Sequence, residues 1–273
     1  MLDKSQKLFA NESEGHSFLV AYHFLISVFP GTHYSIIDNS CHSCHGVFMA
    51  RIARIVVPGY PHHITQRGNR RQKTFFCDED YREYIDLMAE WCNRCNVTIW
   101  AYCLMPNHTH LIAVPQTEES LRKAIGEAHR RYSRMINFRE GWRGYLWQGR
   151  FSSFVMDERY LLTAVRYIEL NPVRAGLVKD PATYRWSSAS AHIEGRDDCL
   201  VRVSGLLEMV PDWKEFIGAV IESAEYEQVR RHERTGRPLG DESFIQRLEA
   251  ILKRQLQRGK PGPKGPRKPK SNE

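Results

Sequence analysis

The segment MPNHTHLIAV (105–114) sets two histidines on either side of one threonine, in an otherwise apolar run. Successive side chains of a strand point to opposite faces, so a strand here puts His108 and His110 on the same face, one pleat apart. Two imidazoles that close repel if both are protonated, and each needs a polar partner if it is buried. The fold must therefore bring polar groups against that face. A divalent metal ion between the rings meets the requirement, because neutral imidazole is a common metal ligand. Strand histidines are more often structural, and the chain has 12 of them. The pair marks a site only if a third ligand and a reacting group come to it from elsewhere.

The flanking pattern predicts what surrounds the pair. A strand is expected near 62–67, then a helix near 79–95 with Asp78 as its N-cap. The strands VTIWAYCL (97–104) and 108–114 follow, joined by the turn MPN. A helix over about 118–138 has the apolar face Leu121, Ile125, Ala128, Tyr132 and Met135. The run YLWQGRFSSFVM (145–156) reads as a strand, and Asp157 caps a helix reaching about Asn171, ahead of Pro172. Strand–helix–strand–strand–helix–strand is an α+β order of the ferredoxin-like kind. The expected fold is an antiparallel sheet with helices packed on one face and the other face open, plus a small helical C-terminal region over 201–252. The central domain is expected over 49–200. Residues 1–48 lack periodicity, and MARIARIVVPGY then reads as a fresh start at Met49, so 1–48 is expected to be an uncertain, disordered extension.

On the expected helix 158–171, Leu161, Ala164, Val165 and Ile168 form the core stripe. Tyr167 and Asn171 stand one turn apart on its flank. Facing the two histidines, the amide would supply an oxygen ligand and the phenol a nucleophile. Free phenol has a pKa near ~10, so its attack requires activation. Taken singly, a packing tyrosine and a helix-ending asparagine explain these residues as well. Glu169, two positions from Tyr167, falls on another helix face and is not expected to act as its base.

Charge is unevenly placed. The net charge is +7, and residues 253–273, with eight basic side chains and one acidic, carry all of it. That Pro/Gly/Lys-rich tail cannot bury a core and is expected to be a disordered basic segment, of the kind that either holds nucleic acid through phosphates or keeps a protein soluble. The longest apolar run, FLVAYHFLISVF (18–29), is too short to span a bilayer. The segment before it has no excess of basic over acidic residues, unlike a signal peptide. A cytoplasmic, nucleoid-associated protein without a membrane partner is expected. Seven cysteines without a secretory signal point to free thiols. CHSCH (41–45) lacks the context of haem attachment, and the cysteines of CNRC (92–95) lie on an apolar helical stripe.

The motifs MPNHTHLI, LWQGRF and RYIELNPVRAGLV, in this order and spacing, resemble the REP-associated tyrosine transposases, members of the HUH single-strand transposases of bacterial insertion sequences. The likeness covers about 49–200, and HERTGRPLGDESFIQRLE looks like a C-terminal segment of the same family. It implies a Mg²⁺ or Mn²⁺ ion held by His108, His110 and Asn171, with Tyr167 as the catalytic nucleophile. Thr109 departs from the bulky hydrophobic residue expected between the histidines. The implied activity is cleavage and rejoining of single-stranded DNA at hairpin (REP-like) sites through a 5′-phosphotyrosine. Arg67, Arg70, Arg71, Arg130, Arg131, Arg134, Trp147 and Arg150 are the basic and aromatic candidates for holding that DNA. Two other readings stay open: a non-catalytic single-strand nucleic-acid-binding module, which needs no metal, and a metal-dependent nuclease that uses water and leaves no protein–DNA link.

Overall fold

The computed structural model describes residues 54–219 and 223–257, and every structural statement below concerns these. The expectations for residues 1–48, including Cys41 and Cys44, and for most of the basic tail lie outside them.

The elements are β1 (His62–Arg67), α1 (Asp78–Arg94), β2 (Val97–Met105), β3 (His108–Pro115), α2 (Ser120–Arg139), β4 (Ser152–Val155), α3 (Glu158–Glu169), α4 (Asn171–Arg174), α5 (Ala189–Glu194), α6 (Ser204–Leu207), α7 (Trp213–Gly218), α8 (Ser223–Thr235) and α9 (Glu242–Leu252). The strands form one sheet in the order β2-β3-β1-β4, and each adjacent pair is antiparallel. This is the α+β, ferredoxin-like arrangement that the element order predicts.

One face carries α1 and α2. Ile64, Ile99, Leu104, Leu111 and Ala113 from the strands meet Tyr84, Met88, Leu121, Ile125 and Tyr132 there. The other face is not open, which corrects the expectation of helices on one face. Ala101, Cys103, Ile112 and Phe154 point into a second core, covered by Leu161, Val165 and Ile168 of α3, Trp213 of α7 and Val229 of α8. The reason lies in the composition of β2 and β3. Both carry apolar residues on both faces, and exposing the second set would forfeit roughly 25 cal/mol per Å² of apolar surface. The helical region after residue 200 is therefore part of the same packed body, not an appendage.

Local chemistry sets most boundaries. Asp157 caps α3 by accepting from Tyr160 N at 3.0 Å, and Asp241 caps α9 through Phe244 N at 2.7 Å. At α1 the N-cap is Cys77, not Asp78. Asp80 closes that end instead, accepting from Phe76 N at 2.7 Å and Cys77 N at 3.3 Å while pairing with Arg139. Pro172 ends α3 early, so Asn171 begins the short α4. The strand expected over 145–156 shrinks to Ser152–Val155, because Gly149 takes φ +73°, a left-handed turn that an extended run cannot absorb. Five cysteines are described, and all are free. Among the described residues, no helix is long and apolar enough to cross a membrane.

Candidate active site

On β3, His108, His110 and Ile112 alternate onto the α3 face, as the strand reading requires. In the β1–β3 register, Thr65 lies opposite His110 and His63 opposite Ile112. His63 therefore shares the face and sits diagonal to His110, with its Nε2 3.0 Å from His110 Nδ1. The rings of His108 and His110 lie 4.9 Å apart. His108 Nδ1 donates to Asn107 Oδ1 at 2.6 Å in the tautomer that leaves Nε2 with its lone pair. That Nε2 lies 3.5 Å from the side-chain amide of Asn171.

The helix α3 delivers Tyr167 to the same place. Its ring lies 5.7 Å from that of His110 and 6.4 Å from that of His63, and it is 6% exposed. The guanidinium of Arg174 sits 4.2 Å over the ring, and Arg230 of α8 also favours the ionised phenol. Glu169 points elsewhere: it is fully buried and accepts from Ser188 Oγ, His192 Nδ1 and Trp213 Nε1, tying α3 to α5 and α7.

Glu233, also on α8, enters from above. Its Oε1 lies 3.7 Å from His63 Nε2 and 3.6 Å from His110 Nδ1. His63, His110 and Glu233 are a group with metal-ligating geometry. Both Glu233 Oε1 and His63 Nδ1 are buried without a hydrogen-bond partner.

Burial controls the charges here. It drives His63 down to about 3 and His108 to about 4, the latter helped by the charge of Arg67, and holds His110 well below its ordinary value. All three are neutral at pH 7, so each offers a lone pair without proton competition. Burial lifts Glu233 to about 7, against the pull of Arg67, Arg230, Arg174 and Arg234. Burial and the charge of Glu233 also raise Tyr167, opposed by Arg230 and Arg174.

The structure thus brings together Tyr167, His108, His110 and Asn171. Arg67 joins them at the end of β1, and Arg70 and Arg71 lie in the adjacent loop, where Arg71 O accepts from Asn107 Nδ2 at 3.2 Å. Arg150 lines a small basic pocket with Arg54 and Arg234. Arg130, Arg131 and Arg134 do not join the cluster. They are on α2, which covers the opposite face, and Glu127 pairs with Arg130 and Arg131. Trp147 is corrected as a stacking surface: it is 6% exposed and packs against His129, Tyr84 and Tyr132. Sequence reasoning missed His63, Asn107, Arg174, Arg230 and Glu233. For Glu233 the available signal was the segment HERTGRPLG, and for Asn107 its place in the MPNHTH motif.

A ferredoxin-like sheet with paired histidines, a tyrosine and an amide on one face is the class that fold and site define. Residues 57–171 match the family model described as Transposase IS200 like. A solved REP-associated tyrosine transposase, bound to a REP hairpin, is similar over 57% of this chain and 93% of its own, at 20% identity and a TM-score of 0.45. A transposase-like protein of Deinococcus radiodurans R1 is similar over 44% of this chain and 95% of its own, at 20% identity and a TM-score of 0.32. No curated protein sequence matches the chain.

Proposed function

We propose that this chain is a tyrosine transposase of the REP-associated kind, cutting and rejoining single-stranded DNA at hairpin sites. The observation that carries the reading is the meeting of Tyr167 with His110 on one sheet face, rings 5.7 Å apart, with Asn171 3.5 Å from His108.

In this reading the oxygen of Tyr167 attacks phosphorus, a Tyr–O–P bond forms to the 5′ side, and the P–O3′ bond breaks. The 3′ oxygen leaves as a hydroxyl, taking up a proton in place of the one lost by the phenol. One phosphodiester replaces another, so a later hydroxyl can reverse the step without an external energy source. Tyr167 must lose its proton against its burial, and Arg230 and Arg174 are the groups that favour the phenolate.

The residues present fit a divalent ion such as Mg²⁺ or Mn²⁺. His108 and His110 are held neutral by burial, and the Asn107 contact frees His108 Nε2. Asn171, whose Nδ2 lies 3.5 Å from His108 Nε2 while its Oδ1 accepts from Arg174 at 3.3 Å, would present its oxygen by an amide flip. Such an ion, when bound by His108, His110 and Asn171, supplies positive charge for the scissile phosphate oxygens. Arg67, Arg70 and Arg71, flanking the cluster, would hold the backbone of the DNA. In this reading the protein acts where its DNA substrate lies, at the nucleoid.

The test is incubation with hairpin-bearing single-stranded DNA and Mn²⁺ or Mg²⁺, followed by denaturing electrophoresis. Protein-linked DNA is expected, and it should vanish in Tyr167→Phe while binding persists. An adduct that survives in the Phe variant overturns the assignment. Cleavage without any adduct favours the water-using nuclease, and binding without cleavage favours the non-catalytic module.

A further inference from the structure

Glu233, His63 and His110 come from α8, β1 and β3, and nothing in the proposed chemistry uses the first two. Their facing atoms are separated by 3.0, 3.6 and 3.7 Å. A circle through three points so spaced has a radius of about 2.0 Å, close to the ~2.0–2.2 Å of Zn–N and Zn–O bonds. As hydrogen bonds, the two distances to Glu233 are too long. The carboxylate oxygen is left buried and unpartnered beside two buried, neutral rings. That is a costly arrangement for a carboxylate oxygen that no donor or cation touches directly.

We propose that His63, His110 and Glu233 form a divalent-ion site for a borderline-soft ion such as Zn²⁺, one that competes with the proposed catalytic set for His110. The set of two imidazoles and one carboxylate suits zinc, whereas Mg²⁺ prefers oxygen ligands. An ion within bonding distance of all three atoms sits almost in their plane and satisfies Glu233 Oε1. His63 Nδ1 then carries that ring's proton. The competition follows from imidazole chemistry. A neutral ring has one lone pair, so when His110 gives Nδ1 to this ion its Nε2 is protonated and cannot serve beside His108. The zinc site also ties α8 to β1 and β3, which holds Arg230 on Tyr167. The inhibitory consequence rests on the function proposed above, but the binding of zinc does not.

The test uses the full chain stripped with a chelator and titrated with Zn²⁺ alone, read by calorimetry and by thermal unfolding. One tight equivalent and a raised Tm are expected. Glu233→Gln, which keeps the side chain's size at a position 18% exposed, should weaken zinc by about 100-fold or more, at least the loss seen when supporting groups of metal sites are removed. His63→Ala should do the same. If His63→Ala does not fold, Glu233→Gln decides. The double variant His108→Ala, Asn171→Ala should still bind zinc. The proposal is overturned if wild type takes up no zinc, if Glu233→Gln binds it as wild type does, or if the double variant loses it. In the cleavage assay, zinc added over Mg²⁺ should slow wild type and spare Glu233→Gln. A missing adduct in every condition would sink the transposase reading while leaving the zinc titration intact.

Discussion

Thr109 and His110 are neighbours on β3, yet they enter opposite halves of the molecule, and the two halves treat buried polar groups differently. Thr109 faces α1 and α2. There Tyr84 donates to Thr109 Oγ1 at 3.3 Å and lies 2.9 Å from His129 Nε2, while Tyr132 donates to Thr74 O at 2.6 Å. His110 faces α3 and α8, where Glu233 Oε1 and His63 Nδ1 have no partner. Burial makes His129 and His63 equally weak bases, each near 3. They differ in which groups are left over: the α1–α2 side leaves indole donors, Trp91 Nε1 and Trp147 Nε1, unpartnered, whereas the α3–α8 side leaves a carboxylate oxygen and an imidazole nitrogen, groups that can bind a cation. A spare indole donor costs a core some stability, whereas unpaired metal-ligating atoms facing one another mark a site.

The largest effect should separate the faces by activity. His110→Ala is expected to cut covalent adduct formation by about a thousandfold or more, on the scale of losing transition-state charge stabilisation. Its urea midpoint should fall only modestly by comparison, because the buried ring takes with it one hydrogen bond, to His63 at 3.0 Å. Tyr84→Phe should do the reverse, keeping adduct formation within a few-fold. Equal activity losses in the two variants would dissolve the distinction between the faces.

Stability should respond on the α1–α2 face. Asp80→Ala removes the acceptor for Phe76 N, Cys77 N and the Arg139 guanidinium. Arg139 can turn to water, so a cost of about 2–3 kcal/mol is expected rather than the full penalty of a buried broken pair. Tyr84→Phe leaves His129 and Thr109 without their shared partner and should cost about 1–2 kcal/mol. Chemical denaturation of both variants measures the order, and a larger loss in Tyr84→Phe would contradict it.

Acid should weaken the α1–α2 side of the sheet through its buried imidazoles. Burial depresses His129 to about 3, with the charge of Arg54 adding to it, and His62 to about 4. Below about 6.5 the unfolded chain takes up protons that the folded rings refuse, so stability present at neutral pH is lost progressively as pH falls from about 6.5 toward 4. Urea unfolding from pH 7.5 to 4.5 should show this decline. A flat profile would mean that these rings are protonated in the fold.

Much of this was legible because it is local. Alternation in HTHLIAV set both histidines on one face, and the i, i+4 spacing of Tyr167 and Asn171 set them on one flank of α3 and its continuation. The rest depends on what the chain does far away. His63 reaches His110 only through the β1–β3 register, which no strand pattern specifies by itself. Glu233 arrives from a helix more than a hundred residues downstream of β3, over a face expected to be open. Trp147 has the composition of a base-stacking aromatic, but the turn at Gly149 ends the expected strand and its indole is buried among Tyr84, His129 and Tyr132.

The smallest effect tests the comparison at the surface. Arg67 lies at the end of β1 beside the histidines, whereas Arg131 is on α2, across the sheet and 3.0 Å from Glu127. If the DNA backbone follows the α3–α8 face, Arg67→Ala removes one phosphate contact. The slope of log K against log salt should then fall by about 0.7 for single-stranded DNA. Arg131→Ala removes a cation already paired and remote from the cluster, so its slope should match wild type. Neither substitution should alter which hairpin is preferred, because phosphate contacts carry no sequence information. Binding to one hairpin and its scrambled control across a salt series reads all three quantities. A reduced slope in Arg131→Ala with none in Arg67→Ala would move the DNA to the α1–α2 face and separate binding from Tyr167.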